Sequence, residues 1–233
     1  MDATQVKATA RCLGAQLCGI ADAESFSGAP EGFAPVDVLP GCRAVVVVAK
    51  RFNTSVLKAA TTVPYTVVRN DLSARMNTLA VLLADALEEN GHVAVPLGCI
   101  GPDVQDHRTN RYRGVLSLKH AAELAGLGRI GKNTLLVNER FGNMIWLNAV
   151  LTDAPLAPDR LASFEPCPPR CRRCSRVCPV GAIRADGFDQ VACAAFAFGA
   201  RNGDDWRILC NACRSQCPQA LGLRRPHASA RPA

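Results

Sequence analysis

Cysteine spacing is the feature of this sequence that most constrains its fold. Of the 12 cysteines, eight lie between residues 167 and 217, and none occurs between Cys99 and Cys167. In a reducing compartment thiols are seldom structural disulfides, so this crowding indicates a metal or redox role. We expect a cytoplasmic protein, because the first residues lack the basic and apolar regions of a secretory signal and no apolar run is long enough to span a membrane.

The crowded cysteines form two runs that each end in proline. The first is Cys-x3-Cys-x2-Cys-x3-Cys-Pro over residues 167–179, the second is Cys-x2-Cys-x3-Cys-Pro over residues 210–218, and Cys193 lies alone between them. This spacing is typical of two 4Fe-4S clusters in which the last cysteine of a run binds the other cluster. We therefore assign Cys167, Cys171, Cys174 and Cys217 to a first cysteine group, and Cys178, Cys193, Cys210 and Cys213 to a second cysteine group.

Zinc is the alternative ligand, because Cys171-x2-Cys174 and Cys210-x2-Cys213 could form one four-thiolate site. These pairs are further apart than in most zinc ribbons, and one zinc ion would leave four of the cysteines unused. The other thiols have largely apolar neighbours, so we predict that Cys12, Cys18, Cys42 and Cys99 are small buried hydrophobic side chains.

The residues before the cysteine runs predict alternating helices and strands. Asp2 can cap a first helix, and a strand follows near residues 18–21. Residues 42–49 are almost continuously apolar and β-branched, as in a strand covered on both faces. Leucines recur at helical spacing from Asn70-Asp71 to Asn90-Gly91.

Beyond that helix, residues 99–116 predict a long polar loop, and Ser117 can cap a helix over residues 118–124. Two strands are expected after it, at residues 134–137 and 144–151. Five prolines between residues 154 and 169 indicate a linker. We therefore divide the chain into an α/β cofactor-binding domain (1–156), a double-cluster domain (157–222) and a disordered tail (223–233).

Residues 126–131 read Gly-Leu-Gly-Arg-Ile-Gly and match the G-x-G-x-x-G dinucleotide fingerprint. That motif binds pyrophosphate when a strand precedes it and a helix follows, whereas here a helical pattern precedes and a strand pattern follows. Two other interpretations stay open: a backbone that lies against a flat ligand with no side chain between them, and a tight turn with no ligand.

The segment from Ala125 to Pro155 resembles one found in epoxyqueuosine reductases and, more distantly, in reductive dehalogenases. The resemblance rests on Ala-Gly-Leu-Gly-Arg-Ile-Gly-Lys-Asn at 125–133, on Phe141-Gly142, and on Val-Leu-Thr-Asp-Ala-Pro at 150–155. It implies an α/β (α+β) nitroreductase-like sandwich that binds a corrinoid, followed by a ferredoxin-like two-cluster module. It also implies that the corrinoid lies beside Gly128, Arg129, Ile130, Gly131 and Lys132.

These observations predict an oxidoreductase in which two 4Fe-4S clusters pass electrons to a cofactor. The expected electron donor is a low-potential protein of the flavodoxin or ferredoxin type, and the expected cofactor is a corrinoid (cobalamin) that acts on an unknown small substrate. A flavin is the alternative cofactor. A non-catalytic electron carrier or cofactor-handling protein is the alternative function.

Two departures from the resembled enzymes limit these expectations. Epoxyqueuosine reductases carry an acidic proton donor shortly before the helix, whereas residues 112–117 contain no carboxylate. Tyr112 and His120 are the nearest candidates to replace it. Those enzymes also continue into a helical-repeat domain that helps hold tRNA, so we do not expect this chain to act on tRNA.

Arginines are interleaved with the first run of cysteines, in a chain with a formal net charge of +7. We call Arg170, Arg172, Arg173, Arg176 and Arg184 the arginine patch, and predict that it docks an acidic electron donor. A solvated basic face is the simpler alternative. Nucleic acid is the weaker partner hypothesis, because neither interleaved aromatic residues nor a recognition-helix pattern accompanies the arginines.

Overall fold

The computed structural model describes residues 1–100, 104–106, 111–200 and 206–223. Its helices are α1 (Ala3–Cys12), α2 (Pro35–Val38), α3 (Val63–Glu88), α4 (Leu118–Leu124), α5 (Arg173–Val177), α6 (Gln190–Ala197) and α7 (Ala212–Ser215). Its strands are β1 (Leu17–Asp22), β2 (Ala44–Arg51), β3 (Ala94–Pro96), β4 (Val104–Asp106), β5 (Arg111–Arg113), β6 (Arg129–Ile130), β7 (Leu136–Val137), β8 (Ile145–Thr152), β9 (Phe198–Ala200) and β10 (Trp206–Ile208). None of the described helices is both long enough and apolar enough to cross a lipid bilayer.

A four-stranded antiparallel sheet in the order β1-β2-β8-β3 forms the centre of the fold. Strand β2 lies inside it, with Ala44 opposite Thr152 and Arg51 opposite Ile145 at the two ends of its pairing with β8. Residues 44–49 are completely buried, which confirms the prediction of a strand covered on both faces. The fold is therefore mixed α and β, with an antiparallel sheet at its centre.

Helices cover the two faces of the sheet and create two apolar layers. Val46 and Val48 of β2 belong to the layer filled by α1 and α3, whereas Val45 and Val47 belong to the layer that includes α4. This division follows from the strand geometry, in which successive side chains point to opposite faces. Burial of apolar area at about 25 cal/mol per Å² in both layers stabilises the arrangement.

Helix α3 begins earlier than predicted, at Val63 rather than at Asn70-Asp71. Pro64 lies in its first turn, where a backbone N–H would have no helical acceptor, so the proline does not block the helix. The predicted buried face is confirmed, because Leu72, Met76, Leu79, Leu83 and Leu87 are all buried.

The other predicted elements are present with small shifts. Asp2 caps α1 in a capping box with Gln5, and α4 has the predicted bounds. Strand β7 is shorter than the predicted strand at 134–137, because Thr134 has a positive φ of 60° within a turn. The glycine motif lies between α4 and β6, as the sequence pattern indicated, so a helix precedes it and a strand follows.

The prediction of a long loop over residues 99–116 is only partly right. Strands β4 and β5 pair within this segment as an antiparallel hairpin. Gln190 explains part of this order, because its side-chain amide donates to the Tyr112 carbonyl at 2.8 Å and accepts from the Tyr112 N–H at 3.3 Å. A partner 78 residues away leaves no local signal in the sequence. Residues 101–103 and 107–110 lie outside the described residues.

The proline-rich linker lies between β8 and α5. All of its residues are described, and they form neither helix nor strand. Asp159 fixes it to the first part of the chain, because its side chain pairs with Lys7 and accepts from the Ile20 N–H at 2.9 Å. Gly126 also lies against it, since a Cβ at that position would stand 2.2 Å from the Arg160 carbonyl oxygen. Of the predicted disordered tail, residues 224–233 lie outside the described residues.

Of the four cysteines outside the two groups, three fit the prediction of a buried thiol. Cys42 is buried, Cys18 and Cys99 are partly buried against the core, and burial raises the pKa of Cys18 to about 12. The prediction is wrong for Cys12, which is exposed. Cys12 is the last residue of α1, whose buried face is formed by Val6 and Ala10.

Candidate functional site

The first cysteine group lines one small cavity. Cys167, Cys171, Cys174 and Cys217 all border it, together with Lys132 and Asn133. The first three lie within eight residues of one another in the sequence. Cys217 lies just after α7, and α7 packs against α5. Arg170, which lies in the first gap between cysteines, has a positive φ of 56°. The structure therefore brings together the four thiols that the crossing pattern had grouped.

The second cysteine group is formed by Cys178, Cys193, Cys210 and Cys213, which come from three separate parts of the segment. Burial raises the pKa of Cys193, and the neighbouring thiols of Cys178 and Cys210 raise it further. Burial likewise raises the pKa of Cys213 to about 11, against the opposing effect of the Arg214 guanidinium. These mutual effects are those of thiols held close together in a partly buried site.

Residues 126–133, which we call the glycine-rich turn, contact both cysteine groups. The Lys132 N–H donates to Cys167 Sγ at 3.4 Å, and Lys132 Nζ donates to the Cys171 carbonyl at 3.2 Å. Asn133 reaches the second group, because its Nδ2 donates to the Cys213 carbonyl at 3.1 Å. A backbone N–H bonded to a ligand sulfur is one of the groups by which a protein tunes an iron–sulfur cluster.

The five residues predicted to border a corrinoid make mostly protein contacts. At Gly128 a Cβ would stand 2.3 Å from the Val137 carbonyl oxygen, and at Gly131 it would stand 3.5 Å from Cys167 Sγ. Arg129 forms an ion pair with Glu123 at 3.2 Å, and the Ile130 N–H donates to the same carboxylate at 2.8 Å. The turn thus lies against β7 and the first cysteine group.

A much larger cavity, of about 690 Å³, has Glu123 in its wall. Its walls come from the segment after β1, from β5, from α4 and from the start of α6. Its volume falls within the roughly 300–1,000 Å³ of small-molecule and cofactor sites. None of residues 128–132 is among those that line it. We call it the large cavity.

Both candidates for a proton donor, Tyr112 and His120, border the large cavity. The Nδ1 of His120 lies 2.7 Å from Ser117 Oγ, within hydrogen-bond distance. Burial lowers the pKa of His120, the charge of Lys119 lowers it further, and Glu123 acts in the opposite direction. Burial also lowers the pKa of Lys119.

All five side chains of the arginine patch are exposed. Arg184 is paired with Asp189 at 3.2 Å, while the other four form no ion pair with a described carboxylate. Four of the five arginines are interleaved with the first run of cysteines, so this part of the sequence presents exposed positive charge.

Arg214, which was not predicted as a site residue from the sequence, is buried next to Cys213. Its guanidinium donates to the Asn143 carbonyl at 2.7 Å and lies 5.8 Å from the centre of the Phe52 ring and 5.9 Å from that of Trp146. The only local signal was its position between two ligand-type cysteines. Asn143 was missed as well: its side-chain amide is buried and has no hydrogen-bond partner among the described residues.

Within the described part of the chain, no group of three or more His, Cys, Asp or Glu side chains is arranged to hold a single metal ion. The donor sets are nevertheless suited to clusters. Four thiols line one cavity in the first group, and each group has one backbone N–H that donates to a cysteine sulfur, from Lys132 to Cys167 and from Ala182 to Cys178. The residues present therefore fit 4Fe-4S clusters in chemical type and number.

Comparison with known proteins gives consistent matches. No family model matches the chain. An epoxyqueuosine reductase from Gloeobacter violaceus is 28% identical over an alignment of 268 residues, which covers 96% of this chain and 77% of that protein. One from Bacillus cereus is 29% identical over 120 residues, which cover 47% of this chain and 31% of that protein. The chain thus spans about a third of the length of the Bacillus relatives that it matches.

Solved structures share the fold at lower sequence identity. A selenomethionine-labelled epoxyqueuosine reductase is 18% identical with a TM-score of 0.61, over 93% of this chain and 65% of that one. A catabolic reductive dehalogenase is 20% identical with a TM-score of 0.68, over 92% of this chain and 31% of that one. From the sequence matches, the chain is a relative of the epoxyqueuosine reductases, and it shares its fold with reductive dehalogenases.

Proposed function

We propose that the chain is an iron–sulfur oxidoreductase in which two 4Fe-4S clusters pass electrons to a cofactor. The observation that carries the proposal is the convergence of eight cysteines into two groups of four, with Cys217 completing the first group. The segment 157–222 then acts as a ferredoxin-like module, and residues 1–156 as a nitroreductase-like cofactor domain. The relatives named epoxyqueuosine reductase support a reductive activity.

The residues around each group suit electron transfer. Lys132 and the exposed arginines offset the negative charge that four thiolates give to a cluster. Arg214 does so for the second group from a buried position. The protein thereby sets the reduction potentials through burial, charge and N–H donors to sulfur.

Metal analysis of protein reconstituted anaerobically with iron and sulfide tests this proposal. We expect about eight iron atoms and eight sulfides per chain, four of each per cluster, with the EPR signals of reduced 4Fe-4S centres. Zinc bound at one ion per chain, with no iron retained, would refute the proposal and favour the zinc alternative.

A corrinoid is the cofactor that we propose, because one structure of this fold is described as suggesting a mechanism for B12-dependent dehalogenation. When bound, a corrinoid supplies the reductive chemistry itself. The large cavity offers space for a ligand, but the predicted contacts at Gly128 and Gly131 are occupied by protein atoms. Arg129 and Ile130 are connected to the cavity through Glu123, and none of residues 128–132 lines it.

EPR of cob(II)alamin added to the reconstituted protein tests the corrinoid directly. A base-off cobalt signal, without nitrogen coupling from the lower ligand, is the expected result. An unchanged spectrum of free cobalamin would refute the corrinoid while leaving the clusters in place.

The second candidate function is a non-catalytic electron carrier. Backbone carbonyls of Arg160 and Val137 fill the space beside Gly126 and Gly128, because a Cβ built on either glycine would lie within 2.3 Å of one of these oxygens. This lack of space for a ligand favours a carrier. A carrier would show both clusters, an unchanged cobalamin spectrum and no ligand in the large cavity.

The substrate is proposed to be a small molecule, with tRNA as the competing candidate. An epoxyqueuosine reductase of this fold has been solved with a tRNA stem loop, and 77% of this chain aligns with it at a TM-score of 0.53. A gel-shift titration with a tRNA anticodon stem loop separates the two. We expect no shifted band at physiological salt, and a shift that depends on the modified base would refute the small substrate.

A further inference from the structure

The large cavity has a composition that the proposed redox function does not use. Aromatic side chains form much of its apolar wall: Phe26, Phe33, Tyr112 and Phe188. Cationic side chains border the same space: Arg111, Arg113 and Lys119, with His120 beside them. A site that combines aromatic surfaces with several cations differs from a plain apolar cleft.

The cations are not balanced by the single carboxylate of the wall. Among the described residues, Glu123 is the only acidic one that lines the cavity, and it is engaged by the Arg129 guanidinium and the Ile130 N–H. No described carboxylate forms an ion pair with Arg113 or Lys119. The cavity therefore retains an excess of positive charge.

Two of these cations are held in place by the wall itself. The Arg113 guanidinium lies 5.3 Å from the centre of the Phe33 ring, which orients its planar donors. Lys119 is partly buried on α4, between Leu118 and His120, so its ammonium has lost part of its hydration. An incoming carboxylate or phosphate would restore hydrogen bonds and charge balance to both.

We propose that the large cavity binds a flat aromatic ring that carries an anionic group, with the ring between Phe26 and Phe33 and the carboxylate or phosphate at Arg113 and Lys119. Two sources fit this chemistry: a phosphorylated flat cofactor and a small aromatic carboxylate substrate. Such a ligand would bind without a corrinoid, at a site that contains none of the cysteines of the two groups.

Two pairs of compounds, matched in ring and different in charge, test the proposal on the reconstituted full chain. The first pair is FMN and riboflavin, followed by flavin fluorescence, and the second is benzoate and benzyl alcohol, followed by calorimetry. We expect the anionic member of at least one pair to bind about tenfold more tightly, which corresponds to about 1.4 kcal/mol. Preference for FMN identifies a phosphorylated cofactor, and preference for benzoate identifies a carboxylated substrate.

Equal affinity within both pairs, or no binding of any of the four compounds, would overturn the proposal. The absorption of the clusters in the same samples reports on the proposed redox function separately. A protein that binds FMN but holds no iron would thus refute the proposed function and support the ligand site. A protein that holds both clusters but binds none of the four compounds would refute the ligand site and support the proposed function.

Variants of Arg113 and Lys119 test where the anionic group of the ligand binds. Lys119→Gln and Arg113→Gln should each abolish the preference for the charged compound, while Lys119→Arg should keep most of it. Lys58→Gln removes the same charge from an exposed residue that does not line the cavity, so it serves as the matched control. If both glutamine variants keep the full preference and the iron content of the parent, the anion does not bind at this end of the cavity and the proposal fails.

Discussion

The backbone N–H of Lys132 donates to Cys167 Sγ at 3.4 Å, while the ammonium of the same residue donates to the Cys171 carbonyl. One residue of the glycine-rich turn thus contacts the first cysteine group twice. A resemblance to known enzymes had indicated that Lys132 contacts a corrinoid. The structure places it beside the first cysteine group.

Replacing Lys132 by glutamine should lower the reduction potential of the first cluster. The reduced cluster carries one more negative charge, so removal of a nearby cation destabilises it relative to the oxidised form. We expect a decrease of about 40 mV at most, because an interaction of about 1 kcal/mol corresponds to that shift in a one-electron couple. EPR-monitored redox titration measures it, with Lys58→Gln as the control. An unchanged or higher potential would show that the ammonium does not act on the cluster.

Serine variants of single cysteines should remove one cluster each and so test the crossing assignment. Cys217→Ser is expected to lose the first cluster and keep the second, although Cys217 lies next in sequence to ligands of the second. Cys193→Ser is expected to do the reverse. Iron analysis should give about four atoms in each variant and about eight in Cys12→Ser, whose exposed thiol belongs to neither group. Loss of the second cluster in Cys217→Ser would contradict the assignment.

Charge reversal in the arginine patch should slow reduction by an acidic donor protein. Arg172→Glu and Arg173→Glu each change the charge by two units at exposed positions near the first group. We expect the second-order rate constant to fall about three- to tenfold at low salt, with the difference shrinking as ionic strength rises. Stopped-flow reduction by flavodoxin measures this, and Lys58→Glu provides a reversal of equal size elsewhere. Equal rates in all three variants would mean that the donor docks on another surface.

His120 should titrate below its ordinary pKa of about 6.5, because burial and the charge of Lys119 both disfavour the imidazolium. Between the lowered folded pKa and the ordinary value, the unfolded chain binds more protons than the folded chain. The free energy of unfolding therefore falls as the pH falls through that window. NMR titration of the ring gives the pKa, and Lys119→Gln should raise it. A pKa at or above 6.5 in the parent protein would contradict the arrangement.

Local patterns in the sequence predicted the central sheet and its helices well. The β-branched run of β2 and the leucine spacing of α3 each reflect packing that repeats along one element, so they are visible in a short stretch of chain. The start of α3 was misplaced because Asn70 and Asp71 look like capping residues, whereas the helix passes through them from Val63. Capping preference alone does not determine where this helix begins, because the residues before Asn70 include Tyr65 and Thr66, which are buried.

The grouping of the cysteines was also accessible to the sequence, since it follows from spacing and a known crossing pattern. The large cavity was not, because its wall combines residues 25–33, 111–124 and 188–190. Arg214 and Asn143 escaped notice for the same reason. Arg214 contacts Phe52, Trp146 and the Asn143 carbonyl, and no spacing rule connects these distant residues.

The crossing of Cys217 to the first group has a consequence for the topology of the assembled protein. A cluster on Cys167 and Cys217 closes a long loop of chain, and a cluster on Cys178 and Cys213 closes a shorter loop nested within it. Closing the inner loop first shortens the chain that remains free, so the outer loop then costs less entropy to close. The two proposed clusters therefore act as nested cross-links, and assembly from the inside outwards is the route of lower entropic cost.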